Sequence, residues 1–167
     1  MLARLFPRKK ISRLERIIRS AAEEHEVRFE LLASIIYQES KGNRFALRYE
    51  DAFYKRYIAN RQLTHYRSRL CSIDTEKRAR AFSYGACQIM GLTAREFGFK
   101  GDFLTELIKL KTNVHLGARI LSRFTELQGS ERAGVKRYNG TGARAEAYAD
   151  KIYDHMGRRT YLSMFKE

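Results

Sequence analysis

The segment LLASIIYQESKGN, residues 31–43, decides the fold prediction because it combines an apolar helical face with one carboxylate. Three apolar residues precede Glu39 by seven, four and three positions: Leu32, Ile35 and Ile36. In an α-helix all four side chains share one face. We therefore predict a helix over 29–40 whose buried face carries Glu39, and a function must explain why a carboxylate stands there.

The environment of Glu39 predicts a raised pKa for its carboxyl group. A helix C-terminus disfavours negative charge, and burial in an apolar face does the same. Both effects raise the pKa of a carboxyl group, and a carboxyl that keeps its proton near neutral pH can act as a general acid. The alternative is a Glu at the rim of the apolar face, with its head in water or beside an arginine.

Helical spacing recurs along most of the chain and predicts a mostly α, compact, single-domain protein. Gly42 marks the end of the helix over 29–40. Strand-like alternation is nearly absent, and 44–81 is predicted to be irregular, with one or two short helices around EDAFYKRYI and THYRSRL. The other predicted helices cover 11–26, a short segment from Gly85 carrying ACQIM, 92–97, 103–108, 111–129, 131–138 and 144–156.

Length and composition support one domain over 1–167, with a basic N-terminal extension at 1–10. The 167 residues are 44% hydrophobic, enough for one substantial core. No apolar run approaches the roughly 20 residues of a membrane span. The first residues contain neither an apolar signal core nor a small-residue cleavage site. We therefore expect a chain without a signal peptide, made in the cytoplasm.

The net charge of +14 indicates an acidic partner. Nucleic acid, anionic lipid and a polyanionic cell-wall matrix all fit, as does a surface that is simply well solvated. We expect no specific nucleic acid, since no recognition motif accompanies the charge.

The cysteines and histidines predict neither a disulfide framework nor a metal site. Two cysteines are too few for a disulfide scaffold, and both are expected to be free: Cys71 and Cys87. The four histidines are scattered without a pair at ligand spacing: His25, His65, His115 and His155. No phosphate loop or nucleophilic triad is recognisable, so no cofactor is expected.

Four short motifs together resemble a known family. They are QES at 38–40, SYGACQIMG at 83–91, NVHLGARIL at 113–121 and RYNGTG at 137–142. In this order they resemble the lytic transglycosylase (Slt-type) and goose-type lysozyme group of the lysozyme-like superfamily, over about 12–157. The resemblance implies a lysozyme-like fold with helices around a substrate cleft. Cys87, Gly91 and Thr141 depart from the family pattern.

A narrower likeness concerns RYEDAFYKRY, SYGACQIMG and YNGTGARAEAYADKIYDHM. These segments are similar to the muramidases of bacteriophages and related bacterial elements. The likeness implies a phage lysis or virion protein that acts at the cell wall or periplasm. Other phage proteins or secretion-machine proteins are then candidate partners of a monomeric enzyme.

The resemblance implies cleavage of the β-1,4 bond between N-acetylmuramic acid and N-acetylglucosamine in peptidoglycan glycan strands. Glu39 protonates the leaving oxygen and then accepts the proton of the sugar's 6-hydroxyl, which closes a 1,6-anhydro ring. The N-acetyl group of the substrate assists, so this route needs no second carboxylate.

Five further residues are implied to contact the substrate or to shape its cleft. Ser40 bonds near the acid or caps the helix, while Gln88 binds an N-acetyl or backbone amide. Gly85 leaves room for sugar at a helix start or forms a turn. The remaining two are Tyr138, with its hydroxyl near Glu39 or the acetamido group, and Asn139, which shapes the turn presenting Tyr138.

A hydrolase of the inverting type would need a second carboxylate to activate water. The stretch 77–87, where goose-type enzymes carry one, has none. Glu50 is the main candidate, and its alternative role is a salt bridge to a nearby arginine. A lytic transglycosylase is therefore favoured over a muramidase, and more distantly over a non-catalytic wall-binding or structural module or a nucleic-acid-binding helical protein.

Overall fold

The computed structural model describes residues 11–166, so the predicted basic extension at 1–10 lies outside the described residues. The helices are α1 (Arg13–Glu24), α2 (Phe29–Ser40), α3 (Asp51–Tyr57), α4 (Ile73–Arg80), α5 (Gly91–Glu96), α6 (Leu110–Gln128), α7 (Glu131–Asn139) and α8 (Ala143–Arg158). Short 3-10 helices span Leu104–Ile108 and Thr160–Phe165. The strands are β1 (Leu47–Tyr49), β2 (Phe82–Tyr84) and β3 (Ile89–Met90).

The predicted mostly α class is confirmed, and so are the bounds of the helix that carries Glu39. The chain leaves that helix at Lys41 with a left-handed backbone, φ 52°. The first helix is shorter than predicted because Ser12 caps it, accepting a bond of 3.1 Å from the backbone N–H of Glu15. No helix in the described part of the chain is long and apolar enough to cross a membrane.

The helix predicted to start at Gly85 is wrong, because this stretch is a β-hairpin. β2 pairs antiparallel with both β1 and β3, and a tight turn joins β2 to β3. Gly85 and Gln88 have positive φ angles of 69° and 46°, which a right-handed helix does not accept. The strands are two or three residues long, too short to show alternation in the sequence.

Of the one or two short helices predicted within 44–81, the one around EDAFYKRYI is present as α3, whereas none forms in THYRSRL, since residues 64–70 form loop and turn. A helix follows it instead, at α4, where Ser72 accepts a bond of 3.1 Å from the backbone N–H of Thr75. This N-cap signal was present in the sequence. The helix was missed because its short, strongly charged segment has little apolar periodicity.

Helix α2 lies between two clusters of buried side chains. Leu32 and Ile36 belong to the larger cluster, formed with α1, α6 and the hairpin. Leu31 and Ile35 belong to a second cluster, formed with α7 and α8. Each such side chain contributes about 1.5–3 kcal/mol by leaving water. The two clusters together hold α2, and hence its C-terminal Glu39, in a fixed position.

A buried ionic network anchors two of the loops. Glu76 is fully buried and accepts hydrogen bonds from Arg80 Nε at 3.0 Å and Arg95 Nε at 2.8 Å. Arg80 also donates to the carbonyls of Thr64 and Tyr66. Arg95 donates to the carbonyls at 99 and 101. One carboxylate therefore orients two guanidinium groups. Arg80 holds the loop before α4, and Arg95 holds the loop after α5.

Candidate active site

Glu39 occupies the last turn of α2, on the face that its apolar neighbours bury. Leu32, Ile35 and Ile36 are 1% exposed or less. The hydroxyl of Tyr148, from α8, donates a hydrogen bond of 2.6 Å to Glu39 Oε1. The carboxyl is therefore held by a residue that is 109 positions away in the sequence.

The pKa of Glu39 is raised, in the direction expected from the sequence. Burial is the largest cause, while the hydrogen bond from Tyr148 and the charge of Arg48 act in the opposite direction. Oε2 has no hydrogen bond within residues 11–166, and it is not among their buried unpaired atoms. Oε2 is therefore the oxygen available to a substrate.

Ser40 joins the end of α2 to the hairpin turn. Its Oγ donates to the carbonyl of Ala86 at 2.8 Å and lies 3.4 Å from the carbonyl of Ile36. Ser40 is the residue next to Glu39, and its hydroxyl is thus occupied by contacts within the protein. In this arrangement Ser40 fixes the distance between the acid and the turn, and its predicted contact with substrate stays a prediction.

Asn113, on α6, holds the turn that joins β2 to β3. Its Oδ1 accepts the backbone N–H of Cys87 at 2.7 Å, and its Nδ2 donates to the carbonyl of Tyr84 at 2.8 Å. A Cβ at Gly85 would lie 2.7 Å from Asn113 Nδ2. The glycine is thus required by this amide and by its positive φ, which agrees with the turn that the sequence offered as one role, and the room for sugar stays a prediction.

Gln88 closes the same turn, with its side-chain Nε2 donating to the carbonyls of Gly85 at 2.9 Å and Ala46 at 3.2 Å. Both donated bonds orient the amide. Its Oε1 accepts no hydrogen bond from residues 11–166 and remains free for an N–H donor. The acetamido N–H of an N-acetylated sugar is such a donor.

Tyr138 and Asn139 end α7 beside this turn. The Tyr138 hydroxyl donates to the carbonyl of Cys87 at 2.9 Å. Burial raises the pKa of Tyr138 well above its ordinary value, with smaller contributions from Cys87 and Glu39. Asn139 is exposed. The structure therefore gives Tyr138 a structural bond close to the acid, and leaves Asn139 accessible.

A cavity of about 690 Å³ opens beside these residues. Gln88, Tyr138 and Asn139 lie in its wall, and Glu39 does not. Aliphatic residues also line the cavity, together with these aromatic and charged side chains: Phe53, Tyr57, Phe97, Phe124, Arg61, Glu96 and Arg137. Such a mixture suits a sugar chain, whose rings stack on aromatic faces while its hydroxyl and amide groups need polar partners.

The candidate second carboxylate, Glu50, pairs with an arginine. Glu50 Oε1 lies 2.5 Å from Arg48 Nε, and about a third of the Glu50 side chain is exposed. The same Arg48 influences the pKa of Glu39. The salt bridge that the sequence offered as the alternative role of Glu50 is therefore present.

Three residues near the site had no predicted role. Tyr148 holds Glu39, Asn113 holds the turn, and Glu96 places a carboxylate in the cavity wall. The sequence could place Tyr148 on a buried helical face, but it could not show that this face meets Glu39. Within the predicted helix over 144–156 it shares an apolar face with Ala145, Ala149 and Ile152, as Glu39 shares a face with its own neighbours.

Cys71 and Cys87 are both buried, with free thiols. Burial is the main reason that the pKa of the Cys87 thiol is raised strongly. A thiol that stays protonated is a poor nucleophile. Cys87 therefore serves packing beside the site, and its Sγ lies where a Cβ at Gly117 would collide with it, at 2.7 Å.

Comparison with known proteins gives one family. A family model described as the transglycosylase SLT domain matches residues 16–156. The comparisons with curated proteins and with solved structures give no match. The matched range includes all four motifs and every site residue described above. The chain therefore belongs to the SLT domain family of peptidoglycan-cleaving lytic transglycosylases, within the lysozyme-like superfamily.

Proposed function

We propose that this lytic transglycosylase releases products ending in 1,6-anhydro-N-acetylmuramic acid, with Glu39 as both acid and base. The proposal rests on the environment of the Glu39 carboxyl group. It is largely buried, its pKa is raised, and one of its oxygens is free of hydrogen bonds within the described residues.

The first step uses the protonated form of Glu39. The carboxyl donates its proton to the glycosidic oxygen as the bond from C1 of N-acetylmuramic acid breaks, through an oxocarbenium-like transition state. The carbonyl oxygen of the substrate's own acetamido group bonds to C1 as the glycosidic bond breaks, which gives a cyclic cation beside the Glu39 carboxylate. The Tyr148 hydroxyl bond stabilises the carboxylate that this step produces.

The second step regenerates the acid. The Glu39 carboxylate accepts the proton of the C6 hydroxyl as O6 bonds to C1, and the acetamido oxygen leaves C1. One carboxyl group thereby serves both steps. It must give up a proton in the first and accept one in the second, which requires a pKa near the working pH. Burial raises the pKa of Glu39 toward this range, and Tyr148 limits the rise.

Two carboxylates that could be considered for activating water, Glu76 and Glu50, are already ion-paired, which supports this route over a water-activating one. Glu76 is buried and ion-paired to two arginines, so it is not accessible to water. Glu50 is paired with Arg48. Glu96 is exposed in the cavity wall and is the residue that a hydrolytic mechanism would have to recruit first, followed by Glu50.

The test is mass spectrometry of muropeptides released from purified sacculi. Products with a 1,6-anhydro ring are one water lighter than hydrolysed products, and borohydride does not reduce them because they have no free reducing end. Reducible products that carry the extra water would contradict the proposal and favour the alternative, a muramidase. The Glu96→Gln and Glu50→Gln variants would then identify the water-activating base.

We also propose that the enzyme works in a phage lysis or virion setting, at the cell wall or periplasm. This proposal is supported by the likeness of RYEDAFYKRY and YNGTGARAEAYADKIYDHM to phage muramidases. Proteomics of purified virions and of the cleared lysate tests it. The chain should be found in one of these fractions after phage induction, and expression without phage induction would contradict the proposal.

A further inference from the structure

A cluster outside the active site brings together one carboxylate and two imidazoles. Glu24 ends α1, His25 follows it as the C-cap residue, and His115 lies in α6. One ligand atom from each lies within 4.8 Å of the others. The sequence predicted no histidine pair, because 90 residues separate the two histidines and only the packing of α1 on α6 joins them.

The local backbone explains why two consecutive residues can point to the same place. His25 has φ −108° and ψ 13°, outside the α-helical region that Glu24 still occupies. Neighbouring side chains on a regular helix diverge by about 100°. The change of conformation at the end of α1 alters that divergence, and Glu24 and His25 both lie close to His115.

From this geometry we propose that Glu24, His25 and His115 bind a divalent transition metal ion, zinc first. In a tetrahedral zinc site with ligands at about 2.0–2.1 Å, neighbouring ligand atoms are about 3.3 Å apart. Glu24 Oε2 lies 3.0 Å from His115 Nδ1, and Glu24 Oε1 lies 3.7 Å from His25 Nε2. Each distance is close to that edge length but starts from a different oxygen of Glu24, so rotation of this exposed carboxylate completes the site. Two imidazoles with one carboxylate suit zinc.

The burial of the cluster suits a site that is formed but reachable. The side chains of His25 and His115 are 17% and 15% exposed, whereas that of Glu24 is 60% exposed. The imidazoles are thus held by packing, and the carboxylate opens to solvent. His115 Nε2 is buried and has no hydrogen-bond partner among residues 11–166, so a histidine here costs more than an apolar residue would.

The cluster lies in a groove of its own. Lys100, Arg119 and Gly101 line this groove, and none of the groove residues lines the cavity beside Gln88. The Arg119 guanidinium is engaged by the carbonyl of Phe97. Two cations beside the cluster favour an anionic or water fourth ligand. The bound metal would link the end of α1 to α6. The reaction at Glu39 would not require it.

The experiment measures thermal unfolding of the full chain, under reducing conditions, with zinc chloride, magnesium chloride or chelator. Ligand at about 100 times its Kd should raise Tm by about 5–10 °C for a protein of this size, whereas magnesium should not. Cobalt(II) provides an independent readout, since a tetrahedral site with nitrogen ligands gives visible absorption bands.

Two variants and one control make the test specific. Glu24→Gln changes an exposed side chain and should fold normally. His115→Gln removes the ligand that α6 contributes to the site. Both should lose the zinc-dependent Tm shift and the cobalt bands. His65→Asn is the control, because His65 is exposed and outside the cluster, and asparagine tolerates its positive φ. No shift in the parent protein, or an equal shift in the parent and Glu24→Gln, would overturn the proposal.

Discussion

The hydroxyl of Tyr148 donates a 2.6 Å hydrogen bond to Glu39 Oε1, and this contact joins α8 to the end of α2 at the carboxyl group that we propose as the catalytic acid. Tyr148 is 7% exposed, so the bond is shielded from water. Burial raises the pKa of Glu39, and the tyrosine opposes that rise by stabilising the carboxylate. The same bond fixes the direction of the carboxyl group.

Tyr148→Phe should lower activity by about 10- to 100-fold, because the carboxyl loses its orientation. It should also move the alkaline limb of the pH–activity profile to higher pH. The acid works in its protonated form, and removing the bond that favours the carboxylate raises the pKa of Glu39 further. Turnover of sacculi across pH checks both effects. A limb that moves to lower pH would contradict this role for the tyrosine.

Glu39→Gln should abolish cleavage while preserving the fold. General acid–base catalysis typically contributes 10²–10⁴-fold, and this carboxyl acts in both steps, so the loss should reach the upper end of that range. Glu30→Gln, an exposed position of the same helix, is the matched control and should keep full activity. Glu39→Gln with parental activity and circular dichroism would refute the assignment.

The same Glu39→Gln variant should be more stable than the parent at neutral pH. The folded protein holds the Glu39 proton more tightly than the unfolded chain does, because the pKa is raised on folding. Parental stability therefore falls as pH rises from the unfolded pKa through the folded one. The variant has no such loss. Tm measured from pH 4 to pH 8 should show a difference that is absent in acid and grows toward neutrality.

Glu76→Ala should destabilise the fold by about 3–5 kcal/mol, because it leaves two buried guanidinium groups without their carboxylate. For a domain of this size, Tm falls by about 2–4 °C per kcal/mol. Glu126→Ala is the matched control, since it breaks an exposed pair with Arg123 and should cost no more than about 1 kcal/mol. Equal effects in urea unfolding would contradict the structural role of the network.

Activity on whole sacculi should decrease steeply as salt rises. The net charge of +14 should concentrate the protein on an anionic cell wall, and salt screens such attraction beyond about 10 Å at 0.1 M. A short, uncharged glycan fragment is the control substrate, and its cleavage should depend little on salt. Equal salt dependence for both substrates would show that the charge serves something other than wall binding.

The sequence by itself determined the helical class, the bounds of α2 and the position of Glu39 on an apolar helical face, where a raised pKa is expected. These features depend on local periodicity, which places a carboxylate among residues at offsets of three, four and seven. The end of α2 was also visible, because Gly42 follows it. The four motifs, taken in order, indicated the family that the comparison then showed.

Only the tertiary structure decided what surrounds Glu39 and how the central motif folds. The GACQIM stretch was expected to be helical, but Asn113 binds the backbone on both sides of the turn and stabilises positive φ at Gly85 and Gln88. Tyr148 reaches Glu39, and His115 reaches His25, through helix packing alone. Contacts between residues about 100 positions apart depend on how helices pack, and no local pattern specifies that.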